Sequence, residues 1–594
     1  MDRNTVIAFV LIGLILMVWM YITAPPPKPP QQISQDTTAV QPKHDSVKIP
    51  VHEPTDSLTA QDTLGNYFAP LAVGEKKTIF IETELYNAKI STKGGSLKSW
   101  ELTKFKTWDQ LPVNLIDERK GGDFHLLFST SESKVVNTKN LYFTTTFPHL
   151  QKIKLAAEDS VNVEYVLNVT DKSRIIKKLT FYGNKYDVSA SYRFEKMEAI
   201  ISDFEYHVTW ETGIKYAEHN SIDESGSAHA SIYAGGEVTE IDASNFNEPV
   251  KQTVTGQVMW VAARNKYFAT AIIPNSNESE GAFIEGARLP MPDKGAKEDY
   301  SIGLRMKFLG KEVESSRFTL FLGPLDFDIV KSYNVDLDQM MSLGMAFLIR
   351  PISEWFIIPL FQFLKLFIPN YGFVLIVFSI IIKILLHPLS KSSLTSMRKM
   401  QALQPMITEL REKHKDDPQK MNVQIMRLYS EYGVNPAGGC LPMLLQMPIL
   451  YALWSVFRST IELRQAEFIW WIKDLSIPDV IAKLPFQIPI FGITDVSGLA
   501  ILMGITMFIQ QKMTVQDPRQ KMMVWMMPVL MTLLFNSFPS GLNLYYFMFN
   551  LLSIVQQEWI KRKHGDEPLK KVDPSKKSKG IIARLAKNLP EMKK

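Results

Sequence analysis

The sequence predicts a polytopic α-helical membrane protein with six transmembrane helices and a large, water-exposed all-β domain. Three observations support this prediction. Mean hydropathy over the 594 residues is only -0.04, yet the long apolar runs are concentrated at the N-terminus and between residues 347 and 560. The region between them alternates polar and apolar residues with period two, as half-buried strands do. Finally, basic residues are concentrated beside the C-terminal apolar runs.

The N-terminal apolar run, residues 6–22, is near the shortest length that can cross a bilayer. A cleaved signal peptide is the competing interpretation. However, the three prolines that begin at Pro25 make a poor signal-peptidase site, so we expect an uncleaved anchor over residues 1–23. Residues 24–65 are rich in Pro, Gln, Ser and Thr and are expected to form a disordered linker.

Residues 66–334 are predicted to form the β-domain. The segments 161–169 and 188–194 alternate apolar and polar residues, with no helical period between them, which favours a large antiparallel sandwich. The single cysteine, Cys440, lies outside this region, so the β-domain has no disulfide and depends on its own core. Glycine pairs at 94–95, 121–122 and 235–236 predict turns or bulges.

The helical part begins with residues 335–370, where apolar residues recur at helical spacing among charged residues and prolines. This pattern predicts an amphipathic helix lying on the membrane surface. Residues 371–560 are then expected to form a core of five spanning helices. The apolar run 522–560 is too long for one crossing, and the sequence Phe538–Gly541 is expected to break it into a helical hairpin.

Between the second and third predicted spans, residues 390–433 are expected to form a cytoplasmic helical hairpin. Asp417 is the predicted N-cap of its second helix, Pro418 the first helical residue, and Gly433 the stop. The methionine-rich apolar stripe on these helices is either an adaptable binding surface or the seam between the two helices. Both interpretations stay open.

The distribution of basic residues predicts how the chain is oriented in the membrane. The tail, residues 561–594, has 12 Lys and Arg against 4 Asp and Glu, a charge of +8, so the rest of the chain carries 5 − 8 = −3. Basic residues flank spans on the cytoplasmic side, so both termini are predicted to be cytoplasmic and the β-domain to lie outside. The same tail could attract anionic phospholipids or ribosomal RNA.

The candidate site centres on Lys383, which lies inside the otherwise apolar run 373–386. A charge in hydrocarbon costs roughly 2.5–3.5 kcal/mol, so Lys383 either faces a polar cavity or a partner, or snorkels to the interface. Ser379 lies one helical turn away on the same face. Polar residues on other predicted spans could make interhelical hydrogen bonds or line a hydrated cavity: they are Gln446, Gln510, Tyr545, Tyr546 and Asn550.

No nucleotide-binding, zinc-protease or serine-hydrolase motif is present, and the ten histidines are not spaced as metal ligands. We therefore expect no enzymatic activity, no cofactor and no metal site. Two other interpretations are a polar-substrate transporter with a sensor domain and a membrane-anchored carbohydrate-active enzyme. The transporter would favour internal repeats, and none is evident. The carbohydrate enzyme would need a pair of carboxylates in a cleft of the β-domain.

Several segments of the chain together form a recognisable set of motifs. They are 370–373, 387–391, 395–400, 403–405, 434–449, 462–466 and 538–546, with 260–268 and 321–324 in the β-domain. Over about residues 340–563 these motifs resemble those of the YidC-type membrane protein insertases, and the run 435–448 is the most specific of them. The two segments of the β-domain resemble the periplasmic β-supersandwich of Gram-negative members.

This resemblance implies an inner-membrane insertase and chaperone. It would use a hydrophilic groove to insert nascent membrane proteins, alone or with the Sec translocon, and would meet the ribosome through its basic tail and cytoplasmic loops. Lys383 falls where the family usually has arginine, so the charge is kept but the planar bidentate fork is not. Ser379 and Tyr546 fall at positions that resemble the family's substrate-contacting Thr and Tyr.

Overall fold

The computed structural model describes residues 60–275, 279–292, 294–434, 441–488, 491–514, 521–564 and 571. The predicted anchor (1–23), nearly all of the linker (24–65), most of the basic tail and the motif residues 435–440 lie outside the described residues.

Nineteen of the described strands lie between Thr78 and Pro324, and two more form a separate hairpin further along the chain. They are β1 (Thr78–Glu82), β2 (Tyr86–Ser91), β3 (Ser96–Lys106), β4 (Pro112–Asn114), β5 (His125–Ser129), β6 (Val135–Asn137), β7 (Gln151–Lys154), β8 (Ser160–Asn168), β9 (Arg174–Tyr182), β10 (Asp187–Glu195), β11 (Glu205–Trp210), β12 (His229–Ala234), β13 (Glu237–Ile241), β14 (Val250–Thr255), β15 (Val258–Arg264), β16 (Phe268–Pro274), β17 (Ser279–Pro290), β18 (Ala296–Lys307), β19 (Val313–Pro324), β20 (Val480–Ile488) and β21 (Ile493–Ser497).

The β-domain is built from three sheets. Their strand orders are β4-β3-β2-β1-β7, β13-β12-β15-β16-β19-β10-β9-β8 and β14-β17-β18-β11-β5-β6. Pairing is antiparallel except between β1 and β7, which run parallel. The eight- and six-stranded sheets contact each other through β12 and β15 on one side and β17 and β18 on the other. A β-sandwich with an additional sheet results, as the sequence predicts.

The predicted alternation is confirmed at β8, where Val163, Tyr165 and Leu167 are buried while Asn162 and Glu164 are exposed. One face of this strand therefore packs on the core, and the other meets water. The glycine pairs are confirmed as turns, because each of their residues has a left-handed φ between 54° and 92° that favours glycine. These residues are Gly94, Gly95, Gly121, Gly122, Gly235 and Gly236.

Among the described residues, one α-helix precedes the β-domain, two short α-helices lie within it, and ten follow it. They are α1 (Ala60–Phe68), α2 (Ser221–Ser225), α3 (Phe327–Lys331), α4 (Ile349–Ile352), α5 (Ile358–Lys365), α6 (Tyr371–Leu385), α7 (His387–Ala402), α8 (Gln404–Lys413), α9 (Pro418–Glu431), α10 (Leu441–Ser459), α11 (Gly498–Thr514), α12 (Lys521–Phe535) and α13 (Ser540–His564).

The expected amphipathic segment is helical but interrupted, since a π-helical turn at Ser353–Ile357 separates α4 from α5. Its polar side is fixed by Arg350, which forms ion pairs with Asp338 and Glu354. Large apolar side chains are exposed along the same segment, as an interfacial helix requires. These are Phe347, Leu348, Trp355, Phe363, Leu366 and Phe367.

Among the described residues, no helix combines enough length with enough hydropathy to span a membrane. The six spans stay a prediction. The expected break within residues 522–560 is confirmed, because α12 ends at Phe535 and α13 begins at Ser540.

The helices after α6 confirm the expected cap of the hairpin. Asp417 accepts a hydrogen bond from the Lys420 amide at 2.9 Å, α9 begins at Pro418, and Gly433 has a left-handed φ of 62°. The first helix is in two pieces, however, with a break at Leu403 between α7 and α8. Apolar residues of α8 and α9 pack on each other, so much of the stripe is a seam: Leu403, Ile407, Leu428, Tyr432 and Val434 are buried together.

The segment after α10 connects the helical part to the β-domain. Arg464 is buried there, donating from Nε to Glu218 Oε1 at 2.6 Å and from Nη2 to the Lys106 carbonyl at 2.6 Å. Nearby, Arg458 lies 3.7 Å from the carboxylate of Asp223. Together these contacts fix the end of α10 against the β-domain.

The hairpin formed by β20 and β21 was not expected from the sequence, which predicts only helices between residues 434 and 560. Strand pairing runs to Ser497, and α11 begins at Gly498. Asp479 organises this junction because its carboxylate accepts hydrogen bonds from the Trp471 indole, the Ser497 hydroxyl and the Leu499 amide at 2.5–2.8 Å. The carboxylate thus caps α11 and closes the hairpin at once.

Candidate functional site

Lys383 lies on the face of α6 that packs against α13. Its ammonium donates a hydrogen bond to Ser553 Oγ at 2.6 Å and lies 4.4 Å from the centre of the Phe549 ring. Among the described residues, no Asp or Glu forms an ion pair with it. The cation is therefore held by a neutral hydroxyl and an aromatic face, and its charge is not neutralised by these contacts.

Ser379 lies one turn before Lys383 and is fully buried. Its hydroxyl donates to the Leu375 carbonyl of its own helix at 2.7 Å, an intrahelical bond common for serine in apolar helices. The neighbouring Phe378 packs on Tyr545 of α13, with ring centres 6.0 Å apart. Ser379 thus lies on the same face of α6 as Lys383, and its hydroxyl proton is donated within its own helix.

On α13, Tyr545 and Asn550 are buried polar residues with unsatisfied atoms. The Tyr545 hydroxyl lies beside Gln446 of α10, but the contact falls short of hydrogen-bond geometry. The Asn550 amide nitrogen has no hydrogen-bond acceptor among the described residues. Buried polar groups without hydrogen-bond partners are costly, and these two lie on the helix that also carries Ser553, the partner of Lys383.

Tyr546 and Gln510 are the two remaining predicted site residues. Tyr546 is half-buried, and the centre of its ring lies 5.2 Å from that of Phe535 and 6.0 Å from that of Tyr545. Gln510 of α11 is also half-buried, and no hydrogen bond, ion pair or ring contact among the described residues joins it to Lys383.

The structure adds Ser553, which sequence reasoning missed, as the partner of Lys383. One helical turn further, Gln556 Nε2 lies 3.0 Å from His387 Nδ1. These two contacts, Lys383–Ser553 and His387–Gln556, join α13 to the junction of α6 and α7 at Leu386. The i, i+3 spacing of Ser553 and Gln556 was the only signal in the sequence, and it does not reveal the facing helix.

No cluster of three or more His, Cys, Asp or Glu that could hold a metal ion occurs in the part of the chain that the structure describes. The chemistry available is recognition by one cation, amide groups and hydroxyls in an apolar setting.

Comparison with known proteins gives the family. A family model described as the YidC periplasmic domain matches residues 78–356, and one described as the 60Kd inner membrane protein matches residues 363–567. A membrane protein insertase YidC from Chloroherpeton thalassium is 38% identical, over 97% of this chain and 98% of its own length. The chain belongs to the YidC family of membrane protein insertases. A YidC of Chlorobium luteolum is also 38% identical, over 98% of this chain and all of its own.

Among solved structures, an active YidC insertase with its first transmembrane domain resolved is similar at 19% identity, with a TM-score of 0.35. The match covers 82% of this chain and 93% of that one. The border between the two family matches falls between residues 356 and 363, within the segment of α4 and α5.

Proposed function

We propose that this chain inserts nascent proteins into the inner membrane, with Lys383 as the cation that receives them. Membership of the YidC family supports the activity, and one observation supports the residue: among the described residues, the Lys383 ammonium has only Ser553 and the Phe549 ring as partners. An acidic group on an incoming segment would give the ammonium an oppositely charged acceptor in place of the neutral Ser553 hydroxyl, and so would neutralise its charge.

The remaining site residues would contact the same incoming segment. The Tyr545 hydroxyl, which lies beside Gln446, and the Asn550 amide nitrogen, which has no hydrogen-bond acceptor among the described residues, would bind its backbone or polar side chains. Gln446 lies beside Tyr545 and would share this role. Ser379, Tyr546 and Gln510 are proposed to line the same hydrophilic groove.

The energetics need no nucleotide. A polar segment lodged in a groove avoids most of the hydrocarbon that it would otherwise cross. The client's apolar helix then partitions into lipid, gaining roughly 0.8 kcal/mol for each buried CH₂ group. We propose accordingly that the chain is not an enzyme and that it uses no cofactor.

The proposed topology follows the sequence. The chain would cross the inner membrane six times, with both termini cytoplasmic and the β-domain periplasmic. The hairpin of residues 390–433 would receive clients, and the basic tail would meet the ribosome or anionic phospholipids, with the Sec translocon as a further partner. Deletion of residues 565–594 tests the tail: ribosome co-sedimentation that persists without it would contradict this role.

The main experiment is complementation of a YidC-depleted strain, with insertion of a small client as the measurement. Lys383→Arg should support insertion, because it keeps the charge. Lys383→Ala should reduce insertion strongly, and Lys383→Glu should reduce it further, because it repels acidic segments. Lys473→Ala is the matched control, since it removes an exposed cation between α10 and β20, outside the residues proposed to contact clients. Normal insertion by the Ala and Glu variants of Lys383 would overturn the proposal.

A further inference from the structure

The β20–β21 hairpin exposes large apolar side chains that no part of the described chain covers. Val480, Ile481 and Phe486 are 44%, 50% and 61% exposed. Residues 480–483 are exposed in succession, and so are residues 485–487. Since neighbouring residues of a strand point to opposite faces, neither face of β20 is packed against the protein.

Such a hairpin is unusual for a segment in water. Two isolated strands are marginally stable at best, and they normally bury one apolar face against a third element. Here, nevertheless, hydrogen bonds hold the open end of the hairpin, where its two strands join the rest of the chain. Asp479 closes it from one side, and Asn536 closes it from the other, accepting from the Ser497 amide at 2.9 Å and donating to the Asp495 carbonyl at 2.6 Å. The hairpin is thus held in place while its apolar residues stay uncovered.

The surroundings identify the kind of environment that covers it. In the described hairpin, Lys483 and Asp495 are the only charged residues, and they are cross-strand partners, so the surface is neutral. At its base Trp470 and Trp471 are stacked with ring centres 5.7 Å apart, and both are exposed to solvent. Exposed tryptophans beside apolar surface are typical of the membrane–water interface.

We propose that the β20–β21 hairpin lies in the interfacial layer of the bilayer leaflet on the same side as the β-domain. The segment leading to it contacts the β-domain through Arg464 and Glu218, which sets the side. Lipid covers both faces of a strand at once, whereas a protein groove would cover one. The interfacial layer rather than the hydrocarbon core is the fitting depth, because the outer strand edges need water or headgroups as hydrogen-bond partners.

This inference concerns contact with lipid and goes beyond the proposed insertase activity. It adds an anchor between α10 and α11, both of which belong to the inner-membrane part of the family match. The anchor would fix the depth of the chain in the membrane at a second place, in addition to the segment of α4 and α5.

Site-directed spin labelling of the full-length protein in phospholipid nanodiscs tests the proposal. Cys440, the only cysteine, is replaced by serine, and single cysteines are introduced as Phe486→Cys or Ile481→Cys. Collision with oxygen, which concentrates in lipid, is compared with collision with a water-soluble nickel chelate. Phe204→Cys, 70% exposed on the β-domain, is the water reference, and Val529→Cys, 55% exposed on α12, is the lipid reference.

The expected result is an oxygen-to-nickel ratio at Phe486 and Ile481 that is severalfold above that of Phe204 and below that of Val529. A ratio equal to that of Phe204 would place the hairpin in water and overturn the proposal. Labels that neither reagent reaches would overturn it in favour of a protein partner. A water-like ratio at Val529 as well would contradict the membrane placement of α12, on which the proposed function also rests.

Discussion

Replacing Lys177 by methionine should stabilise the β-domain, although it removes a charged residue that makes a hydrogen bond. Lys177 lies on β9 with 1% of its surface exposed, its ammonium donating to the Phe124 carbonyl at 2.5 Å. Burial lowers the pKa of Lys177 from 10.5 to about 7. At 1.36 kcal/mol for each pKa unit, this difference corresponds to about 5 kcal/mol of unfolding free energy.

The sign follows from which state binds the proton. Above the unfolded pKa of 10.5, Lys177 is neutral in both states and imposes no penalty. As the pH falls towards 7, the unfolded chain takes up the proton first, so stability decreases, and below 7 the penalty is constant. Losing the bond to Phe124 costs about 1 kcal/mol, since the Tyr192 hydroxyl still approaches that carbonyl at 3.4 Å. The net gain for Lys177→Met is therefore about 4 kcal/mol at neutral pH.

Hydrogen exchange of the full-length protein in nanodiscs measures this gain through the slowest amides of β9, corrected for intrinsic rates. Lys178→Met is the matched control, because the adjacent Lys178 lies on the same strand and is exposed. Protection should rise for Lys177→Met at about pH 6 and return towards that of the unmodified chain at about pH 10, where the penalty has largely disappeared. Unchanged protection at both pH values, or a gain that does not depend on pH, would refute the reasoning.

Two further predictions concern single contacts. Arg464→Ala leaves the carboxylate of Glu218 buried without its partner and should weaken the packing of the β-domain on the helical part by about 3–5 kcal/mol. Arg458→Ala, which removes a more exposed ion pair, should cost less than about 1 kcal/mol. Limited proteolysis at the boundary of the β-domain measures both effects, and equal effects of the two variants would contradict the role of Arg464. Asp417→Ala removes the cap of α9 and should cost about 1 kcal/mol of local stability, seen as faster amide exchange at its first turn, while Asp416→Ala should leave that exchange unchanged.

The sequence was a sufficient guide where local chemistry determines structure. Alternating residues on β8, the cap at Asp417 and the break before Ser540 each depend on a few adjacent residues, and all three occur as expected. The β20–β21 hairpin was missed because its residues do not alternate: Val480 to Leu484 has four apolar residues and one lysine, and its fold depends on a carboxylate outside the strands. The parallel pairing of β1 with β7 likewise joins distant segments that no local signal connects.

At the candidate site, too, features set by neighbouring residues were predictable, whereas contacts between distant segments were not. Placing Lys383 and Ser379 on one face required only helical periodicity, and α6 confirms it. The sequence could not predict that Ser379 would donate to its own backbone, while Ser553, one hydroxyl in an apolar helix, would bind the lysine. Contacts between helices depend on packing angles, which residue spacing does not encode. The roles of the site residues stay predictions.

The junction at Arg464 has a consequence for domain exchange among members of the family. Its guanidinium binds the side chain of Glu218 in a β-domain loop and the backbone carbonyl of Lys106 at the end of β3, although Arg464 itself belongs to the helical part. A chimera that takes its β-domain from one relative and its helices from another would separate Arg464 from Glu218. Exchanges that carry the segment after α10 together with the β-domain should therefore be tolerated better than exchanges that cut only at the border of the two family matches.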